Sequence, residues 1–328
     1  MTKPHVLLTG ATGFLGRAIA RHHDPDEMTL ACTGRSQNDA TLPGYTSADL
    51  TNPDAVASLA DGHDVLLHCA GLAHQFGGRI SQSEFQRINV VATQNAVAAA
   101  VRAGVRHVVL VSSVSVYGQA NSQNGPVNES AACQPEGAYA ASKLFGEVAA
   151  AQLTEPAGIP LTILRMATIY GEGDPGNVAR LMNAIDRRRF VWIGQGRNLK
   201  SLVHVDDAAA ACLQAVRQSP QAAGTTTYNV SAAPCLMRDV VACISTALKK
   251  PVPSIRIPAA LPLGVAGMAS RISSSGSLPH RARRTLEKWV GDDAYDGSRF
   301  CRDFDFQPRV SLQDGIQREA DWFRNRAA

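Results

Sequence analysis

Along the first 170 or so residues, short continuous apolar runs alternate with longer stretches whose apolar positions recur at helical spacing. "HVLLTG" (5–10), "MTLACTG" (28–34), "DVLLHCAG" (64–71), "HVVLVSSVSVYG" (107–118) and "LTILRMATIYG" (161–171) read as strands. Their Val, Leu and Ile are contiguous rather than alternating with polar residues, as in strands covered on both faces of a parallel sheet. Between them, "FLGRAIARHH" (14–23), "DAVASLA" (54–60), "EFQRINVVATQNAVAAAVRAG" (84–104) and "YAASKLFGEVAAAQL" (139–153) carry the helical period. Strand–helix alternation of this kind predicts an α/β fold, a doubly wound parallel sheet with right-handed crossovers. Residues 1–171 are expected to form a dinucleotide-binding domain. After 171 the pattern loosens and Pro, Gly and Ser become denser, as in "KKPVPSIRIP" (249–258) and "SRISSSGSLPH" (270–280). Residues 172–328 are therefore expected to be mainly a smaller lobe, with further sheet elements returning at about 200–230; its substrate-binding role follows from the resemblance given below.

Composition narrows the classes. At 328 residues, 45% hydrophobic and 18% charged, the chain can bury a large core. A net charge of +4 is too weak and too dispersed to argue for a nucleic-acid partner. Cys32, Cys69, Cys133, Cys212, Cys235, Cys243 and Cys301 include no CxxC pair, which reads as reduced thiols rather than a disulfide framework or zinc site. The start "MTKPHVLLTGATG" passes directly into a strand-like run, and "IPAALPLGVAGMA" (257–269) is too short to span a bilayer. A cytoplasmic location without a membrane partner is expected. His22–His23 and His68/His74 lack further ligands at metal-like spacing, so no metal site is expected.

The chemistry starts at "TGATGFLG", where Gly10, Gly13 and Gly16 follow the first strand and open the first helix, with Thr12, Phe14 and Leu15 between them. Glycines at this spacing let the backbone approach a pyrophosphate held at a helix N-terminus. A glycine triplet alone is a weak signal; the strand before it and the helix after it supply the required context. The second strand ends in Gly34, Arg35 and Ser36, where an acidic residue would select NAD and an arginine would receive a 2′-phosphate. NADP(H) is therefore favoured, with NAD(H) possible if Arg35 points to solvent. Asp49, next to Leu50, offers an acceptor for adenine, and "HCAG" (68–71), with Cys69, Ala70 and Gly71, is expected along the ribose and phosphates.

The stretch "GAYAASKLFGE" (137–147) places Tyr139 and Lys143 at i and i+4 on one helix face. By itself it also fits a surface helix with an ordinary aromatic and a solvated lysine. The preceding strand, however, ends in Ser112, Ser113 and Ser115 at the carboxyl edge where doubly wound folds bind ligands. There a lysine beneath the phenol, next to an oxidised nicotinamide ring, is expected to lower the phenol's pKa and make Tyr139 a general acid or base, while a serine hydroxyl polarises the substrate oxygen.

Together "TGATGFLG", "VSSVSVYG", "YAASK" and "LVHVDDAA" (202–209) resemble the extended short-chain dehydrogenase/reductases, and within them the NAD-dependent epimerase/dehydratase group acting on nucleotide sugars. The resemblance covers nearly the whole chain. It implies Ser113, Tyr139 and Lys143 as catalytic residues, Asn89 of "RINVVAT" at the cofactor site, and a homodimer built from paired helices. Two departures stand out. The Asp-Glu that sugar dehydratases carry after the catalytic hydroxyl is replaced by Val114 and Ser115, so dehydration is not expected. The family's "RPxNVYGP" has become "RMATIYGEG", with Met166 and Thr168 substituted, so substrate identity does not transfer.

His74, Val114, Thr168, Asn177 and Lys200 are candidate substrate contacts, with Val178 and Ser201 also considered for the cleft-facing side of the lobe. The runs "DRRRF" (186–190) and "HRARRTLEK" (280–288) read as solvated faces, although one arginine or Lys200 could clamp a diphosphate. His204 with Asp206 and Asp207 reads as scaffold between the lobes. The function expected is reduction of a 4-keto group on a nucleotide-linked sugar. The alternatives are a C4 epimerase retaining NAD, a dehydrogenase of another ketone or alcohol, and a non-catalytic dinucleotide sensor; the last is disfavoured by the presence of both Tyr139 and Lys143.

Overall fold

The computed structural model describes residues 3–73, 80–118, 125–174, 176–220, 222–258, 260, 287 and 290–327. Seven parallel strands form the central sheet: β1 (His5–Thr9), β2 (Thr29–Gly34), β3 (Thr46–Ser47), β4 (Val65–His68), β5 (His107–Ser113), β6 (Leu161–Met166) and β11 (Thr225–Val230). Their order is β11-β6-β5-β4-β1-β2-β3. This is the doubly wound, Rossmann-type α/β fold, and its winding reverses between β1 and β4.

The helices explain the contiguous apolar runs. Alternate residues of each strand enter opposite cores. Val6, Leu8, Val65, Leu67, Val109 and Val111 pack with α1 (Phe14–His22) and α7 (Val205–Arg217). Leu7, Leu66, Val108 and Leu110 pack with α4 (Ala92–Ala103) and α5 (Gly137–Thr154). With both faces covered, no polar alternation is needed.

Three local departures from the sequence reading shape the site. Helix α2 is only Pro53–Val56, so most of "DAVASLA" is turn. The predicted helix over 84–104 is three pieces, α3 (Gln82–Gln86), a π-turn (Arg87–Val91) and α4. Strand β5 stops at Ser113, whose hydroxyl accepts from the Ser115 amide (3.2 Å) and starts a 3₁₀ turn over Val114–Tyr117.

The expected strand 161–171 also divides. After Ala167, β7 (Thr168–Tyr170) leaves the main sheet and pairs with β10 (Leu202–His204). Around it lie α6 (Asn177–Asp186), β8 (Trp192–Ile193), β9 (Leu199–Lys200), β12 (Cys235–Leu236), α8 (Met237–Ala247) and β13 (Arg256–Ile257), then α9 (Ser298–Asp303) and α10 (Leu312–Ala327). A separate apolar cluster joins α6, α8 and α10 through Val178, Met182, Ile185, Val241, Ile244 and Ile316. No helix among the described residues is long and apolar enough to cross a membrane.

Candidate active site

The glycine loop lies where the sheet reverses. Gly10 has φ +72°, and a Cβ there would sit 2.6 Å from Ala70 N and Cα, so this loop and the one after β4 touch backbone to backbone. A Cβ on Gly16 would lie 2.1 Å from the Gly10 carbonyl oxygen, which explains why α1 can start so close beneath the loop. Helix α1 has no side-chain cap and no acidic residue in its first turn. Its amides and positive dipole end are therefore available to an anion, and the close backbone approach fits a pyrophosphate. Leu15 is buried beneath this turn, and Phe14 lies alongside Gly173 of the lobe.

At the end of β2, the missing carboxylate has a steric cause. A Cβ on Gly34 would meet Thr12 Oγ1 at 2.8 Å and Thr12 Cγ2 at 2.9 Å, both below any ordinary contact. Arg35 and Ser36 are exposed beyond it, and the Ser36 carbonyl accepts from Tyr45 OH (2.8 Å). Asp49 accepts from the Thr51 amide (3.0 Å) and hydroxyl (2.9 Å). Those hydrogen bonds, with smaller help from Arg87 and Arg35, hold its carboxyl below the usual range. Leu50 is buried against Val56 and Ala92.

The segment 68–71 divides between the interior and the glycine loop. His68 is interior, its ring nitrogens bonded to Thr9 Oγ1 (2.8 Å) and Thr93 Oγ1 (3.0 Å). Burial, then Lys143, push its pKa down to about 3. Cys69 and Ala70 border the loop, and a Cβ on Gly71 would lie 3.3 Å from Asn89 Oδ1 and 3.6 Å from Lys143 Nζ. Asn89, presented by the π-turn, accepts from the Leu72 amide (2.7 Å) and donates to the Leu72 carbonyl (3.1 Å) and Ser142 Oγ (2.9 Å). In this geometry it ties the loop after β4 to α5.

Ser113 and Tyr139 are brought together, with the serine hydroxyl near enough to favour the phenolate, and the Tyr139 ring tilts against Phe85 at 5.9 Å. Among the protein's own side chains, burial raises the phenol's pKa, and the nearby Ser113 hydroxyl only partly offsets this. Lys143 donates instead to the Val111 carbonyl (2.8 Å). Its own pKa is lowered by burial, against the opposing pull of Cys69 and Glu147.

The substrate candidates divide. Thr168 begins β7 and is half-buried, and Asn177 is exposed at the start of α6. Lys200 Nζ donates to the Gly291 carbonyl (3.1 Å). Val114 packs into a cluster with Val116, Tyr117, Val127 and Tyr295 rather than offering a free contact surface. Val178 belongs to the lobe's core and Ser201 is buried beside Tyr295, so neither faces a cleft. His74 lies outside the described residues. His204 is buried, its ring edge-on to Tyr170, and caps α7 by accepting from the Asp206 amide (3.2 Å), which is a scaffold arrangement.

One group escaped the sequence reading. Glu147, on the same face of α5 as Tyr139 and Lys143, accepts from Arg165 Nη2 (2.7 Å) and Nε (3.1 Å) and from the Ser112 hydroxyl. Arg165 also lies over the Tyr117 ring (4.8 Å), whose hydroxyl donates to Asn229 Oδ1 (2.8 Å). The available signal was a lone arginine inside the apolar run "LTILRM", because a charge on a covered strand requires a partner.

A reversed sheet edge, an open helix start and a Ser–Tyr–Lys group together define a dinucleotide-dependent short-chain dehydrogenase/reductase-type site. The family model for the NAD-dependent epimerase/dehydratase family matches residues 6–231, and the chain belongs to that family. It is 29% identical to N-acetyl-alpha-D-glucosaminyl-diphospho-ditrans,octacis-undecaprenol 4-epimerase of Escherichia coli O157:H7, over 80% of this chain and 77% of that one. It is 26% identical to 2-alkyl-3-oxoalkanoate reductase of Stenotrophomonas maltophilia, over 95% and 97% of the two chains. The solved structure of MoeE5 in complex with UDP-glucose and NAD shares the fold, with a TM-score of 0.77 at 23% identity over 99% of this chain and 100% of that one.

Proposed function

We propose that the protein is an NADP(H)-dependent reductase of the 4-keto group of a nucleotide-linked sugar. The observation that carries this reading is the placement of Ser113 beside the Tyr139 phenol at the carboxyl end of β5, with Lys143 one helical turn on. When bound, the nicotinamide supplies the hydride. Tyr139, held protonated by its surroundings, donates the proton to the oxygen of the carbinol as it forms. Ser113 orients and polarises the same oxygen, and Lys143 fixes a positive charge beneath the pair. Val114 and Ser115 offer no carboxylic acid to expel a hydroxyl, which favours reduction over dehydration. Arg35, with Gly34 closed to an acidic side chain, supports NADP(H) over NAD(H).

Gly10, Thr12, Gly13 and Gly16 would hold the pyrophosphate; Cys69, Ala70 and Gly71 would border it. Residues 172–328 mainly form the substrate lobe in this reading, with Thr168, Asn177 and Lys200 at its entrance. We also assign a cytoplasmic homodimer through the outer face of α5, where Phe145 and Val148 are 52% and 46% exposed. The second reading is a C4 epimerase, favoured by the name of the E. coli relative; the name of the S. maltophilia relative supports reductase chemistry on a non-sugar ketone.

The test is the dinucleotide that copurifies, followed by turnover of 4-keto nucleotide sugars monitored by cofactor absorbance. Releasable NADP(H) and stoichiometric consumption of NADPH are expected. Tightly retained NAD(H) with interconversion of C4 epimers and no net oxidation would replace this reading with the second.

A further inference from the structure

The residue that the reaction scheme leaves unused is Glu147. It is 3% exposed, and Arg165, its partner from β6, is 7% exposed. The pair is bidentate, and the carboxylate also receives the hydroxyl of Ser112, the residue before Ser113. Tyr139, Lys143 and Glu147 stand at i, i+4 and i+8, so the carboxylate is one turn beyond the lysine on the same face of α5.

The surroundings of Lys143 make this charge matter. From β4 and the loop after it come His68 and Cys69. Burial leaves the imidazole neutral and pushes the thiol up to about 12. From β5 come the Val111 carbonyl and the Ser113 hydroxyl, neither of which is ionised. From α5 itself come Tyr139, kept as the phenol, and Glu147. Among the described groups facing Lys143, Glu147 is the carboxylate, held there in its ion pair with Arg165. A largely buried ammonium without a nearby anion loses its proton readily.

We propose that Glu147 is a positioning residue, whose carboxylate, fixed by Arg165 and Ser112, keeps Lys143 protonated beneath the reacting phenol. The inference deepens the reductase reading and rests on it. Arg165 has a matching role, since it holds the carboxylate in place and prevents it from being buried unpaired. The pair is thus more than a brace between α5 and β6.

The experiment follows Lys143 directly, by the pH titration of its 13Cε resonance in the full-length protein, assigned with Lys143→Arg. Glu147→Gln strands Arg165 as a buried unpaired cation and can unfold the protein, so the informative variant is Glu147→Gln/Arg165→Met, with folding checked by circular dichroism. The Lys143 titration should move down by roughly one pH unit in the double variant. It should move up in Arg165→Met, where the carboxylate is no longer neutralised. Glu147→Asp, which keeps the charge, should leave it near the wild-type position. An unchanged titration in a folded double variant would overturn the proposal and reduce the pair to a brace. This readout needs no substrate, so it stands apart from the reductase reading. That reading falls instead if Tyr139→Phe retains turnover, an outcome that leaves the lysine titration where it is.

Discussion

Helices α1 and α6 both begin beside the region where ligand is expected, and they begin in opposite ways. The start of α1 has neither a side-chain cap nor an acidic residue. The start of α6 is filled from within: Asp174 accepts from the Gly176 amide (2.6 Å) and the Ala179 amide (3.2 Å). One helix offers its dipole to an incoming anion, and the other has spent its dipole on a carboxylate of the same chain. In the proposed reading, the glycine-rich half would receive phosphate at its open helix start, and the lobe would recognise a substrate by contacts other than the start of α6.

The largest effect that would test this division is at the chemical centre. Tyr139→Phe should leave cofactor affinity unchanged and reduce turnover by roughly 10²–10⁴, measured by cofactor absorbance with a 4-keto nucleotide sugar. Comparable loss from Lys200→Ala in the lobe would erase the contrast. Next in size, Arg35→Ala should weaken NADP(H) by about ten- to a hundredfold, the worth of a charge-assisted contact of roughly 1.5–3 kcal/mol. NAD(H) should be little affected. Calorimetric titration of both dinucleotides provides the comparison, and equal losses for the two would remove Arg35 from the 2′-phosphate.

At the α6 start, Asp174→Ala should cost about 1 kcal/mol of stability, the usual worth of a cap, read from urea midpoints. Cofactor affinity should not move. No loss of stability would mean that the carboxylate is not the cap that its geometry describes.

A further prediction concerns pH. Glu319 of α10 accepts from the Gly171 amide (3.2 Å), and burial, with Asp174 nearby, raises its pKa from 4.5 to about 8. A raised carboxyl favours the folded state in its protonated form. Its contribution is complete below pH 4.5 and declines as pH rises towards 8. Glu319→Gln should therefore flatten the fall in Tm between pH 5 and pH 8, leaving the pH 5 value nearly unchanged. A Tm profile parallel to the wild type would show that Glu319 does not titrate in this window.

The same division separates what the sequence revealed from what it did not. The sheet was legible because covered parallel strands write themselves as unbroken Val, Leu and Ile runs, and the glycine loop because its context is local. Tyr139 and Lys143 sit on one helical turn, so spacing paired them, whereas Ser113 was singled out from Ser112 and Ser115 by the family resemblance. The Glu147–Arg165 pair joins positions 18 residues apart on different elements, and no periodicity announces it. The π-turn at Asn89 has the same apolar rhythm as the helices beside it. In the lobe, β7 departs from the main sheet within a run that reads as one strand, so Val178 and Ser201 were placed on the wrong side.

Gly34 has a consequence for anyone wishing to place a side chain at the end of β2. Position 34 does not vary alone, because both γ atoms of Thr12 occupy the space where a side chain there would start. Under the proposed reading, installing an aspartate is a two-site problem: Thr12 must move, and Thr12 lies in the loop that would cradle the pyrophosphate. Coenzyme choice and phosphate grip would then be mechanically joined, and position 34 is best varied together with position 12.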